Sequence, residues 1–364
     1  MTENLIHKVG DRISNRYEII RFVGEGGMQQ VYRALDLVIN RQVALKLPKN
    51  SSAQKRFRRS AVVSAKVNHP NVAKTLDYLE TESSPYLIEE FIDGKDIKEG
   101  ILQQLGMVDP YLTAKILHYL AKGVAASHDA GVIHRDLKPS NVMFSGNFNL
   151  SEIKITDFGI AKMAEEEIIN AVEGGESSTS ASATVMGALP YMAPEMIQDS
   201  RNAGKPSDIW ALGAMMYELL SGFKPFGFGL TAVPNILLAT PPQKPQQIDK
   251  NLQFQSLGNE LYEIILSCLN KSPENRPTAQ ELIQKCEKLC YPVVERKTGR
   301  VTSLLRGNQG FIQSDEGETI FFHFDSVYGN KPCVGSRVCF SAFAGTPRPR
   351  AHPVILIQGI NSHL

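Results

Sequence analysis

The sequence predicts an α+β chain, with strands at the N-terminus, helices through the middle and a small five-stranded all-β barrel at the C-terminus. Three observations carry that prediction. Residues 17–23 and 42–46 read as strands on either side of a glycine-rich turn. Residues 113–130 repeat Leu117, Leu120, Ala121, Val124, Ala125 and His128 at helical spacing. From residue 298 onward, short alternating apolar runs recur between glycines. The chain has 364 residues, more than one ordinary domain, and two or three are expected. Its 42 % hydrophobic and 21 % charged residues suit a soluble globular protein. No stretch reaches the roughly 18 apolar residues of a membrane span. Met1-Thr2-Glu3-Asn4 offers neither the basic nor the apolar segment of a secretory signal, so a cytoplasmic location is expected. Cys268, Cys286, Cys290, Cys333 and Cys339 form no metal-type spacing, and a scattered set suits a reducing compartment.

Residues 1–16 read as a short leader. The strand at 17–23 runs into Gly24-Glu25-Gly26-Gly27-Met28-Gln29, and glycines there let backbone N–H groups approach phosphate oxygens. The strand Gln42-Val43-Ala44-Leu45-Lys46 follows and carries a lysine. A helix is expected over 55–67, ahead of His69-Pro70-Asn71, and residues 53–67 contain no acid. Another strand, Tyr86-Leu87-Ile88-Glu89-Glu90-Phe91, leads into Ile92-Asp93-Gly94. The long segment after Gly159 holds Glu165-Glu166-Glu167 and Ser177-Ser178-Thr179-Ser180-Ala181-Ser182, a loop composition. Residues 208–220 are apolar enough to be a core helix.

The chemistry concentrates in His134-Arg135-Asp136-Leu137-Lys138-Pro139-Ser140-Asn141 and in Asp157-Phe158-Gly159. Asp136 is a proton acceptor, Lys138 a cation for phosphate, and Asn141 and Asp157 are the hard oxygen ligands that Mg²⁺ prefers. Together these are the parts of a phosphoryl-transfer site. The two motifs resemble the catalytic loop and metal-binding triplet of eukaryotic-type (bacterial-style) Ser/Thr protein kinases, and the resemblance covers residues 17–290. It implies a bilobal protein kinase fold that holds ATP and Mg²⁺ and phosphorylates serine or threonine in protein substrates. Asp136 and Lys138 become the catalytic residues, and Asn141 and Asp157 the metal ligands. Gly24, Gly26, Val31, Ala44, Lys46, Glu89 and Glu90 become the nucleotide contacts. Asp208 falls on the residue that anchors the catalytic loop, and Arg276 on the partner of Glu195. Lys138 favours serine or threonine over tyrosine. Arg135, ahead of the base, implies autophosphorylation among Ser177, Ser178, Thr179, Ser180, Ser182 and Thr184.

Four positions depart from that pattern. Gln29 replaces the third loop glycine, and Ala188 replaces a threonine that ties Asp136 to Lys138. Ser60 stands where the helix glutamate partnering Lys46 belongs, and Glu89 occupies the normally apolar gatekeeper position. A buried lysine without its acid and a buried acid without a cation are each costly, so a Lys46–Glu89 pair is expected to cure both. The alternative to an active enzyme is a nucleotide-binding pseudokinase scaffold, and the retained Asp136, Asn141 and Asp157 favour activity.

Residues 291–297 read as a linker and 298–364 as a separate module. From Arg296 onward there are eight Lys/Arg against four Asp/Glu, hence +4, while the preceding part has 31 against 34, hence −3. Basic residues among aromatics suit stacking of unpaired bases on a charged groove. Gly310-Phe311-Ile312 and Ile320-Phe321-Phe322-His323-Phe324 resemble the two ribonucleoprotein motifs of a cold-shock domain, an OB-type barrel. That resemblance implies single-stranded RNA or DNA as a partner, stacked on Phe311, Phe321, His323 and Phe324. Two stacking positions are lost, to Ser303 and Gln309. A barrel that meets protein, or one whose RNA binding is regulated by the kinase, are the other readings.

Overall fold

The computed structural model describes residues 5–25, 29–49, 57–58, 61–82, 84–158, 183–292, 294–306 and 308–358. Alternation builds the N-terminal lobe. β1 (Arg12–Ile13), β2 (Tyr17–Glu25), β3 (Gln29–Asp36), β4 (Arg41–Pro48), β5 (Thr75–Glu80) and β6 (Pro85–Glu90) form one antiparallel sheet in the order β1-β2-β3-β4-β6-β5. Side chains two apart share a face. Val43, Leu45 and Leu47 therefore join Tyr17, Ile19, Tyr32 and Ile88 in one buried cluster. Ala44 and Lys46 fall on the other face, with Leu87 and Glu89 of β6. Residues 57–58 and 61–64 are helical, and Phe57 and Ala61 pack on Leu87 and Tyr78.

The larger lobe is built on helices: α1 (Pro110–Asp129), α2 (Lys205–Ser221), α3 (Leu252–Cys268) and α4 (Ala279–Lys288). Asp109 caps α1, its side chain accepting from the Tyr111 and Leu112 N–H groups, and Pro110 takes the first turn where a missing N–H costs nothing. α2 is apolar around its whole circumference and is accordingly the buried centre of the lobe. No described helix is long and apolar enough to cross a membrane. A three-stranded sheet of β7 (Lys95–Asp96), β8 (Val142–Ser145) and β9 (Glu152–Ile155) presents the two motif loops at the mouth of this lobe.

The C-terminal strands β10 (Arg296–Leu305), β11 (Gln309–Ser314), β12 (Thr319–His323), β13 (Arg337–Phe343) and β14 (Arg350–Leu356) close into a barrel in the order β10-β11-β12-β14-β13. Val301, Ile312, Ile320, Phe322, Val338 and Phe340 fill it. β10 opens at Arg296, inside the stretch expected to be linker, because residues 296–298 already pair with β13. The barrel does not hang free. Tyr328, Cys339 and Ile355 join the hydrophobic core of the large lobe, and the Tyr328 hydroxyl donates to the Leu220 carbonyl at 2.8 Å. Arg296 Nη2 donates to Asp109 Oδ1 at 2.9 Å, with the two side chains 6 % and 0 % exposed. One carboxylate thus caps α1 and anchors the barrel.

Candidate active site

The catalytic loop is held under backbone strain. Arg135 has φ 67°, a left-handed conformation that side chains other than glycine rarely adopt. Asp208, 1 % exposed on α2, holds it there. Its Oδ1 accepts from the Arg135 N–H at 2.8 Å, and its Oδ2 accepts from the His134 N–H at 2.9 Å. His128 Nε2 lies 2.9 Å from the same Oδ2. His134 Nε2–H donates to the Thr156 carbonyl at 2.8 Å, and Nδ1 accepts from the Asp136 N–H at 3.2 Å. A carbonyl only accepts and an amide N–H only donates, so these partners fix the ring's tautomer. Phe158 packs on that ring with centroids 4.5 Å apart, which ties the two motif loops together.

Within the loop, Lys138 Nζ lies 2.8 Å from Asp136 Oδ2. Asn141 Nδ2 donates to the same oxygen at 3.0 Å and to the Asp136 carbonyl at 2.8 Å. Both donors converge on Oδ2, which leaves Oδ1 of Asp136 for an incoming group. The amide nitrogen of Asn141 is engaged, which leaves its Oδ1 for a cation. Ala188 borders a small cleft with Asp136 and Leu137, and Lys138 reaches Asp136 directly without the missing threonine.

Across the cleft, Lys46 Nζ is 2.6 Å from Glu89 Oε2 and 2.9 Å from Asp157 Oδ1. Lys46 and Glu89 are 6 % and 5 % exposed. Burial lowers the Lys46 pKa, but the carboxylates of Asp157 and Glu89 outweigh it and hold the ammonium above its ordinary value. Burial also raises Asp157, yet Lys46 and the Gln29 amide prevail and bring it to about 2. Burial keeps Glu89 above the ordinary carboxylate range, with Lys46 opposing. Asp157 sits at φ 60°, so its side chain is aimed by another left-handed residue. Its Oδ1 takes Lys46 and Gln29, the latter at 2.9 Å, while Oδ2 accepts a long bond from the Thr156 hydroxyl at 3.4 Å and keeps lone-pair capacity for a cation. An amide oxygen from Asn141 and a carboxylate oxygen from Asp157 are hard donors that fit Mg²⁺.

The expected nucleotide contacts divide. Gly24 on β2 pairs with Val31 on β3, Val31 pairs with Lys46, and Ala44 pairs with Glu89, so these residues share one patch of sheet. Glu90 differs: its carboxylate is taken by Lys154 at 2.8 Å and by the Lys74 N–H at 2.7 Å, and its own N–H donates to the Lys74 carbonyl at 2.9 Å. Gly26, Ser60, Gly159 and the serines and threonine at 177–182 lie outside the described residues, and of Thr184 only the helical backbone is described. Arg276 forms the two-pronged pair with Glu195, at 2.7 and 2.8 Å. The Gln29 contact was not legible in the sequence, because nothing there links that loop position to an acid 128 residues on.

On the barrel, Ser303, Phe311 and Phe321 align across β10, β11 and β12, and Gln309 pairs with His323 on the same sheet. Phe311 and Phe321 meet edge to face at 5.9 Å, and the Arg348 guanidinium lies 5.4 Å from the Phe311 centroid. Phe324 does not share that face. It begins a 3₁₀ turn, leans on the barrel core and contacts Phe322 at 5.6 Å, on the inward side that alternation gives a residue two positions after Phe322.

Comparison with known proteins agrees with this geometry. The protein kinase domain family matches residues 17–286, ahead of the barrel. The chain belongs to the protein kinase family. It is 34 % identical over 281 residues to the probable serine/threonine-protein kinase PknB of Corynebacterium glutamicum, covering 74 % of this chain and 41 % of that protein. It is 33 % identical over 280 residues to the serine/threonine-protein kinase PrkC of Bacillus subtilis, covering 75 % and 40 %. The chain thus spans about two fifths of the length of these curated relatives. Among solved structures, Rad53 residues 1–466 in complex with AMP-PNP has a TM-score of 0.58 at 25 % identity, over 74 % of this chain and 64 % of that one. The kinase domain of Mycobacterium tuberculosis PknI shares the fold, with a TM-score of 0.56 at 20 % identity over 78 % and 99 %.

Proposed function

We propose that the protein is an ATP-dependent serine/threonine protein kinase that autophosphorylates, joined to a cold-shock-like OB module that binds single-stranded RNA or DNA. The observation that carries the kinase reading is the placement of Asp136, Lys138 and Asn141 opposite Lys46 and Asp157. Asp136 Oδ1 orients the acceptor hydroxyl of a protein substrate and takes its proton. Lys138 faces the transferring phosphoryl group, and Lys46 holds the α- and β-phosphates of ATP. Asn141 and Asp157 would hold Mg²⁺, which would supply positive charge against the phosphates. A full donor set of this kind favours transfer over a scaffold role. The five cysteines are unpaired, which suits a reducing cytoplasm. Mass spectrometry of active protein is expected to find phosphate between residues 160 and 190, and its absence there counts against autophosphorylation at that loop.

The nucleic-acid reading rests on the Phe311–Phe321 pair with Arg348 beside it. Phe311→Ala and Phe321→Ala are each expected to weaken binding of single-stranded RNA by about 1–3 kcal/mol in a gel shift, and salt is expected to weaken it further. No shift at low salt with the unaltered protein removes this reading.

A further inference from the structure

Lys46 and Glu89 lie on neighbouring strands of one sheet. In the β4–β6 register Ala44 faces Glu89 and Lys46 faces Leu87, so Lys46 and Glu89 are diagonal neighbours on one face. Long side chains bridge that spacing, and here Nζ and Oε2 are 2.6 Å apart. Protein kinases in general take the lysine's partner from a helix, whose position then governs activity. The helical residues here, 57–58 and 61–64, pack on the same face of the sheet through Phe57 and Ala61, yet residues 53–67 contain no acid.

We propose that Glu89 is the positioning residue for Lys46, so that the sheet itself holds the lysine ready and its placement does not depend on the helix. This deepens the kinase reading and rests on it. The hydrogen-bonded ladder between β4 and β6 fixes both backbones, so the pair cannot open unless side chains turn or strands part. A lysine deep in the cleft with two carboxylates keeps its direction, because the ammonium loses both partners if it swings out to water. Asp157 alone does not suffice for this. Its carboxylate also accepts from Gln29 and lies on the loop after β9, whereas Glu89 is on the strand paired with that of Lys46. An acid at this buried position has its explanation in that contact.

The test uses the full chain with Glu89→Gln, which keeps shape and removes charge, and Phe57→Ala, which loosens the helix and alters no charged group of the site. Turnover and binding of the non-hydrolysable analogue AMP-PNP with Mg²⁺ are measured for each. Glu89→Gln is expected to lose about a hundredfold in kcat and about tenfold in AMP-PNP affinity, the cost of a misplaced charged donor, with an unchanged melting temperature. Phe57→Ala is expected to stay within about threefold of wild type in both readings while melting lower. Unchanged kcat and affinity in Glu89→Gln overturn the proposal, as does a Phe57→Ala loss of kcat as large as that of Glu89→Gln. The analogue separates this inference from the kinase reading. A wild type that transfers no phosphate removes the kinase reading, while weakened AMP-PNP binding in Glu89→Gln still supports the role of Glu89.

Discussion

Asp136→Asn is expected to lower phosphate transfer by about 10²–10⁴-fold, the range that a positioned general base contributes, with ATP affinity nearly unchanged. The reason lies in how the carboxylate is held. Lys138 and Asn141 both reach Oδ2, so the other oxygen is the one set towards an acceptor hydroxyl. An amide has the same shape and still places an oxygen beside Lys138, so the loop keeps its path. It cannot take a proton from the hydroxyl. The contacts proposed for the nucleotide, on β2, β3, β4 and β6, are untouched by the change. Initial rates with saturating protein substrate, beside a nucleotide-binding isotherm, check both halves. An Asp136→Asn protein within tenfold of wild type contradicts the role given to this residue.

Asp208→Ala is expected to cost about 3–5 kcal/mol of stability, near the upper end for a single substitution. The carboxylate accepts from two backbone N–H groups and contacts His128 Nε2, all away from water. Each buried donor left without an acceptor costs about 1–3 kcal/mol. The strained Arg135 backbone then relaxes, because nothing else on α2 replaces the acceptor that held φ at 67°. Activity falls together with stability, since Asp136 is the next residue. Urea denaturation reads the stability change, and a midpoint equal to wild type contradicts this account of the loop.

Most of the site was legible because its residues are local in sequence or tied by strand spacing. His134 to Asn141 and Asp157 to Gly159 announce themselves, and the strand carrying Lys46 follows the glycine turn at a readable distance. The Lys46–Glu89 contact was legible for a different reason, since two costly buried charges each explain the other. What was not legible depends on contacts between distant residues that break no local rule. Gln29 reads as a lost glycine, and only the folded lobes bring its amide to Asp157. Arg296 reads as part of a basic linker, yet it lies buried against Asp109, 187 residues earlier. Strand alternation places Phe322 and Phe324 on one face and Phe321 and His323 on the other, and Phe322 and Phe324 do lie towards the barrel core; it was the resemblance that carried Phe324 onto the stacking face.

Transfer of the γ-phosphate of ATP to a serine or threonine hydroxyl is the activity proposed for this cleft. Its most direct test is incubation of the purified full chain with γ-labelled ATP and Mg²⁺, alone and with a general protein substrate, followed by phosphoamino-acid analysis. Labelled phosphoserine or phosphothreonine that needs Mg²⁺, and that falls by at least about a hundredfold in Asp136→Asn, is the expected result. A folded protein that binds AMP-PNP and yields no labelled serine or threonine under those conditions would contradict it.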